Sequence, residues 1–144
     1  MSVSTILGVK GRNVITVRPH ETVESVIKTL AQKRIGAILV TDDLGRILGI
    51  VSERDVVRHL GEEGASILAK PVSAIMTKGV KTCAETDSEQ DLMTLMTENR
   101  IRHLPVVRDG KLTGMISIGD VVKFRIEAIE HEAEDLKAYI SGAA

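Results

Sequence analysis

The sequence predicts an α/β fold: two copies of a β-α-β-β-α unit packed with pseudo-two-fold symmetry, then a long C-terminal helix. Three observations carry this. The chain repeats itself, Val14–Val57 lying over Val80–Val122 with one gap at Leu44. Each copy runs from a β-branched stretch through an amphipathic helical stripe to a pair of short strands around a turn. At 144 residues, with 43% hydrophobic and 27% charged side chains, the chain can bury a core and is not disordered.

The elements follow in order. Val14-Ile15-Thr16-Val17 and Val80-Lys81-Thr82-Cys83 open the copies as strands. In copy one Val23, Val26, Ile27 and Leu30 form one helical stripe, with Thr22 as N-cap. In copy two Leu92, Leu95 and Met96 carry the stripe, and Ser88 with Asp91 has capping-box spacing. Two strands follow: Ala37–Thr41 and Arg46–Val51 around Asp42-Asp43-Leu44-Gly45, then Leu104–Val107 and Lys111–Ile116 around Arg108-Asp109-Gly110. A second helix starts at Ser52 and at Ser117. The helix-linked strands should be parallel and the last two antiparallel. Two such small sheets packed face to face would share a core. Gly61–Lys70 reads as a polar connection, and Pro71–Thr77 as a short helical turn entering copy two.

Composition excludes several functions. With 19 Lys+Arg against 20 Asp+Glu, no global field favours nucleic acid or an acidic membrane. One Tyr and one Phe are too few for base-stacking platforms. A single cysteine, Cys83, excludes an intramolecular disulfide and a Cys-based zinc cluster. No signal-peptide core or membrane-length apolar run is present, so a soluble cytoplasmic protein is expected. His20, His59, His103 and His131 lack metal-ligand spacing, and no HExxH, Walker A or GxSxG sequence occurs. Gly8-x-x-Gly11 precedes a strand, which is wrong for a dinucleotide loop. Cys83 reads as a core thiol. Neither an enzyme nor a metal site is expected.

The strongest repeated motifs are Gly49-Ile-Val-Ser52-Glu-Arg-Asp55 and Gly114-Met-Ile-Ser117-Ile-Gly-Asp120. With Ile35–Val40, Ile101–Val107 and Pro71–Thr77 at matching offsets, the chain resembles a tandem pair of CBS domains, the module named after cystathionine β-synthase, in a stand-alone Bateman-type arrangement. The domains expected are 7–62 and 71–125, with a helical extension over 126–144. The resemblance implies an adenine-nucleotide sensor, taking AMP, ATP or an NAD-type ligand in clefts between the repeats and regulating a partner protein. The alternative is a scaffold of the same fold that has lost its ligand.

Ser52-x-x-Asp55 and Ser117-x-x-Asp120 admit two readings. Serine at the N-cap and aspartate three residues on simply cap a helix. The same place also suits a ligand: the helix N-terminus attracts phosphate, and a carboxylate accepts both hydroxyls of a ribose. By resemblance, Thr16 and Thr82 lie beside base or sugar, and Ala37, Ile38, Leu104 and Pro105 form an adenine wall, although sheet core explains Ile38 and Leu104 equally well. Gly119 lies inside the second motif. Arg102 and His103 replace Gly36 and Ala37 of copy one, and the resemblance assigns such basic residues to a phosphate, with Arg54 adding to the charge. Lys10 and Arg12 are candidates for a second phosphate. Finally Val122, Ile126, Ile129, Ala133, Leu136 and Ile140 make a heptad seam, which fits either a long helix packed back on its own domain or one that meets its twin or a partner; the resemblance, since paired CBS modules commonly dimerise, implies a homodimer.

Overall fold

The computed structural model describes residues 2–142. It begins with a helix that no sequence expectation covered, α1 (Val3–Lys10), whose Val3, Ile6 and Leu7 are buried. Two turns of helix are marginal in water. Burying these side chains, each worth roughly 1.5–3 kcal/mol when fully covered, holds it. Gly11 ends it at φ 104°, a conformation that suits glycine.

Copy one follows the expected order. β1 (Thr16–Val17) pairs in parallel with β2 (Ala37–Thr41), which pairs antiparallel with β3 (Ile47–Ser52). Between them lies α2 (Val23–Lys33), where the Thr22 side chain accepts a hydrogen bond from the Ser25 N–H. In the turn before β3, Asp42 Oδ1 accepts from the N–H groups of Leu44 and Arg46. α3 (Glu53–Glu63) closes the copy.

The connection is less polar than its composition suggests. Gly64–Ala69 is a 3-10 helix whose Ile67 is fully buried. The entry segment contains a 3-10 turn over Val72–Ala74, capped by Pro71 as expected. Val72 and Ile75 join the core of copy one, alongside Val17, Val23, Val26, Ile38, Val40 and Val51.

In copy two, α4 (Glu89–Asn99) starts at the Ser88 capping box. β4 (His103–Arg108) and β5 (Lys111–Ser117) form a two-stranded sheet. Asp109 and Gly110 both take positive φ between them, as a two-residue hairpin turn requires. α5 (Ile118–Ile140) is the long helix. The expected opening strand over Val80–Cys83 reduces to one parallel bridge, Cys83 with Val106. Cys83 donates to the Pro105 carbonyl and accepts from Val107. Pro105 has no N–H, so the next ladder bond, two residues back along the opening segment, has no donor. Copy one has Leu39 at that place and keeps a two-residue strand.

The described chain divides into two units. One contains Asn13–Thr82 with Asp109–Leu112. The other contains the residues through Arg12, Cys83–Arg108 and those from Thr113 onward. The segment leading into each repeat therefore completes the core of the other one: α1 belongs with copy two, and Val72 and Ile75 with copy one. No helix among the described residues is long and apolar enough to cross a membrane.

The repeated glycines mark where these lead segments dock. A Cβ on Gly114 would lie 2.6 Å from Leu7 Cδ2, and one on Gly49 2.6 Å from Met76 Sδ and 3.0 Å from the Thr77 carbonyl oxygen. Gly114→Ala should destabilise by about 1–3 kcal/mol through overpacking against Leu7, which is fully buried. Leu7→Ala alone should cost about 2–5 kcal/mol. The double variant should lose less than the sum in denaturant titrations, because both changes act on one contact. Simple additivity would mean that the glycine serves something other than Leu7.

Candidate functional site

Each repeated motif carries the chain from a strand end straight into a helix, and both Ser-x-x-Asp pairs form complete capping boxes there. The Asp55 N–H donates to Ser52 Oγ at 3.3 Å, while Ser52 N and Oγ donate back to Asp55 Oδ2 at 2.9 and 3.1 Å. In copy two the corresponding distances are 3.2, 2.9 and 3.0 Å. The first helical N–H is also used: Glu53 N donates to the Gly36 carbonyl and Ile118 N to that of Arg102. The helix-cap reading is thus satisfied in full.

Capping alone does not account for the surroundings. Ser88 and Asp91 form a box of the same kind at α4, where Asp91 is exposed. Asp55 is instead buried and Asp120 half-buried, and each receives hydrogen bonds from side chains outside its own box. Arg58 Nη2 and Thr77 Oγ1 donate to Asp55 Oδ1 at 3.1 and 3.2 Å. The Thr77 backbone is fixed by two hydrogen bonds to Ile50. Lys10 Nζ, at the end of α1, donates to Asp120 Oδ2 at 2.5 Å and to the Met115 carbonyl at 2.6 Å.

The two carboxylates consequently differ. The Asp55 side chain is 9% exposed and both its oxygens are engaged. That of Asp120 is 25% exposed, and Ser117 and Lys10 converge on one oxygen. Burial works to raise the pKa of Asp120, but the Lys10 hydrogen bond, the Ser117 N–H and the Lys10 charge outweigh it and hold the carboxyl below the usual range.

The other expected site residues fall into three groups. Ala37, Ile38, Leu104 and Pro105 are buried in β2 and β4, and the side chains of Ile38 and Leu104 belong to the two cores. Thr16, Thr82, Arg54, Arg102 and Gly119 are exposed. Arg54 and Gly119 occupy the same second position of α3 and α5, and Arg102 immediately precedes β4. His103 opens β4 and is half-buried. Arg12 is paired with Glu85. Sequence reasoning missed Arg58 and Thr77. Arg58 was accessible to it, lying one helical turn after Asp55.

Burial, assisted by the charge of Asp87, pushes the Cys83 thiol up to about 12, so the thiolate is not available as a nucleophile. Among the described residues no three His, Cys, Asp or Glu side chains gather to hold a metal ion.

The Lys10–Asp120 pair should be visible in acid. A carboxyl with a lowered folded-state pKa stabilises the fold above its unfolded value of about 4 and loses that contribution as pH falls through the folded value. Wild type should exceed Lys10→Met in stability by about 1 kcal/mol or less near neutrality, since both partners are partly exposed. The difference should shrink as pH falls below about 4 and through the lowered folded value, and vanish once the carboxyl is protonated in both states, as read by chemical denaturation. A gap independent of pH would assign the effect to the lysine's alkyl packing.

Comparison with known proteins bears on the whole chain. It matches the CBS domain family at residues 8–62 and again at 72–127. The CBS-domain containing protein ATU1752 from Agrobacterium tumefaciens superimposes with a TM-score of 0.85 at 45% identity, over 87% of this chain and 99% of that one. The Arabidopsis thaliana protein CBSX3, a mitochondrial CBS domain-containing protein, is 34% identical over 98% of this chain and 72% of its own length. The CBS domain pair of protein MJ0100, crystallised with 5′-methylthioadenosine and S-adenosyl-L-methionine, shares the fold at 22% identity, with a TM-score of 0.79 over 89% of this chain and 98% of that one. With two repeats that close on the same Ser-x-x-Asp box and a family match to each, this chain belongs to the CBS domain family as a tandem pair.

Proposed function

We propose that this chain is a regulatory module that binds an adenine nucleotide and signals its presence to a partner protein, with no catalytic step of its own. The observation that carries the reading is the doubled Ser-x-x-Asp box, set at a strand-to-helix junction in both repeats of a CBS pair and met in each by a further polar side chain. AMP, ATP and NAD-type ligands share an adenosine whose ribose presents two neighbouring hydroxyls. A carboxylate at the start of a helix accepts both. The fold is compatible with an adenosine moiety, as the ligands crystallised with MJ0100 illustrate.

In this reading Asp120 makes the stronger ribose contact. It is the more exposed carboxylate, and its recorded partners gather on one oxygen. Backbone groups of Ala37, Ile38, Leu104 and Pro105 read the base, since the side chains are buried. Thr16 and Thr82 flank the base or sugar. Arg102 supplies the phosphate contact with its planar fork of donors, aided by His103 and Arg54. The module acts as a homodimer through α5.

One observation favours the alternative of a scaffold without a ligand: the boxes are closed, and both oxygens of Asp55 are taken, by groups of the chain itself.

Calorimetric titration separates the readings. Asp120→Asn should raise the Kd for AMP about tenfold to a hundredfold, as expected when hydrogen bonds to a charged group worth about 1.5–3 kcal/mol are weakened. Asp55→Asn should change it less. If the box is only a cap, each variant loses on the order of 1 kcal/mol of stability and binds like wild type. Wild type that takes up neither adenosine nor AMP would support the scaffold.

Arg102 has its own test. Arg102→Ala should weaken AMP strongly and adenosine hardly at all, because only one of them carries a phosphate. Equal weakening of both would show that the arginine supports the fold of the site rather than the anion.

A further inference from the structure

α5 has two apolar faces, and its own chain covers only one. Val121 is buried, and Ile118 and Phe124 pack against the core that contains Leu7, Leu104 and Ile116. The other face is the heptad seam. It lies open from Val122, 44% exposed, through Ile126, Ile129 and Leu136 to Ile140, 75% exposed. In heptad terms the seam occupies a (Ile126, Ala133, Ile140) and d (Val122, Ile129, Leu136), while Val121 and Phe124 sit at c and f on the opposite side, and Ile118, at g, lies one turn before the seam begins. The helix can therefore stay docked on its own unit while the seam meets another helix.

The charges beside the seam select the occupant and its direction. The e positions are Lys123, Glu130 and Lys137; the g positions are Arg125, Glu132 and Tyr139. Against a second copy running parallel and in register, g faces e five residues on. Arg125 then meets the partner's Glu130, and Glu132 meets the partner's Lys137. Each pair forms twice and each is attractive. An antiparallel copy using the same six seam positions instead sets Lys123 against the partner's Lys137, Glu130 against the partner's Glu130 and Glu132 against the partner's Glu132. All three of these contacts are repulsive.

We propose that α5 forms a parallel, in-register, two-stranded coiled coil with α5 of a second copy, specified by Arg125–Glu130 and Glu132–Lys137 pairs across the seam. This rests on the homodimer in the reading above and adds its direction and register. β-branched Ile126 and Ile140 at a, with Leu136 at d, suit two strands. A parallel pairing brings the N-terminal ends of both α5 helices together, and with them both Asp120 boxes.

The test uses the full chain. Light scattering of wild type at tens of micromolar should give a dimer mass, and Ile129→Asp should give a monomer with unchanged helical circular dichroism. Glu132→Lys should raise the dimer Kd about tenfold, and adding Lys137→Glu to the same chain should restore it. Glu132 is the better probe because Arg125 already lies 3.8 Å from Glu89 of its own chain. Ile140→Cys should oxidise to a covalent dimer in high yield, with the native Cys83 buried and inert. An antiparallel pair would hold the two introduced thiols about 27 Å apart, out of reach. A monomeric wild type overturns the dimer and everything built on it. A dimer in which Ile140→Cys does not cross-link keeps the dimer but overturns the parallel direction. A dimer indifferent to Ile129→Asp places the interface elsewhere, and a trimer mass overturns the two-stranded form.

Discussion

The contact on which both halves of this molecule depend is the close approach of a lead segment to a glycine in the following hairpin strand. Neither repeat has enough sheet and helix to bury its own apolar face. Leu7 of α1 seats on Gly114, and Met76 of the entry segment seats on Gly49, each at a distance that leaves no room for a Cβ. Since interiors are packed to crystal-like density, that approach fixes the lead segment's position closely. The residues just beyond it are then delivered to the carboxylates, Lys10 to Asp120 and Thr77 to Asp55. Core packing thus sets the geometry of the polar site.

The same architecture makes the two copies chemically unlike. One lead segment presents an ammonium ion, the other a hydroxyl group, with Arg58 of the same helix supplying the cation instead. A lysine on a flexible stem is a point charge that can yield to a competing group. An arginine and a backbone-anchored threonine hold their acceptor in a more fixed geometry. Two boxes built on one repeated motif in this way differ in accessibility and charge.

α5 joins the box to the seam. Its first turn carries Asp120, Ile118, Val121 and Phe124 hold the core, and its a and d positions face outward. A change at the N-terminal box is therefore rigidly connected to the seam along one helix, without a hinge or loop between them.

Much of this was legible in the amino-acid sequence, and the legible part is local. The repeat, the strand–helix alternation, the Thr22 and Ser88 caps, the Asp109-Gly110 turn and the heptad spacing all involve residues within a few positions of each other. Hydrogen-bond geometry and helical periodicity act at that range. What the fold decided is non-local or subtractive. α1 carries buried residues at i, i+3 and i+4, yet nothing in its sequence says that it packs with the second repeat rather than the first, which it adjoins. Lys10 could be read as a charge in search of an anion, but its anion lies in the other repeat. The opening strand of copy two ends at Cys83 because Pro105, on the neighbouring strand, lacks the N–H that would extend the ladder. Local patterns determine which elements form. Which of two similar cores a segment completes depends on side-chain volumes brought together from distant parts of the chain, and only tertiary packing resolves that.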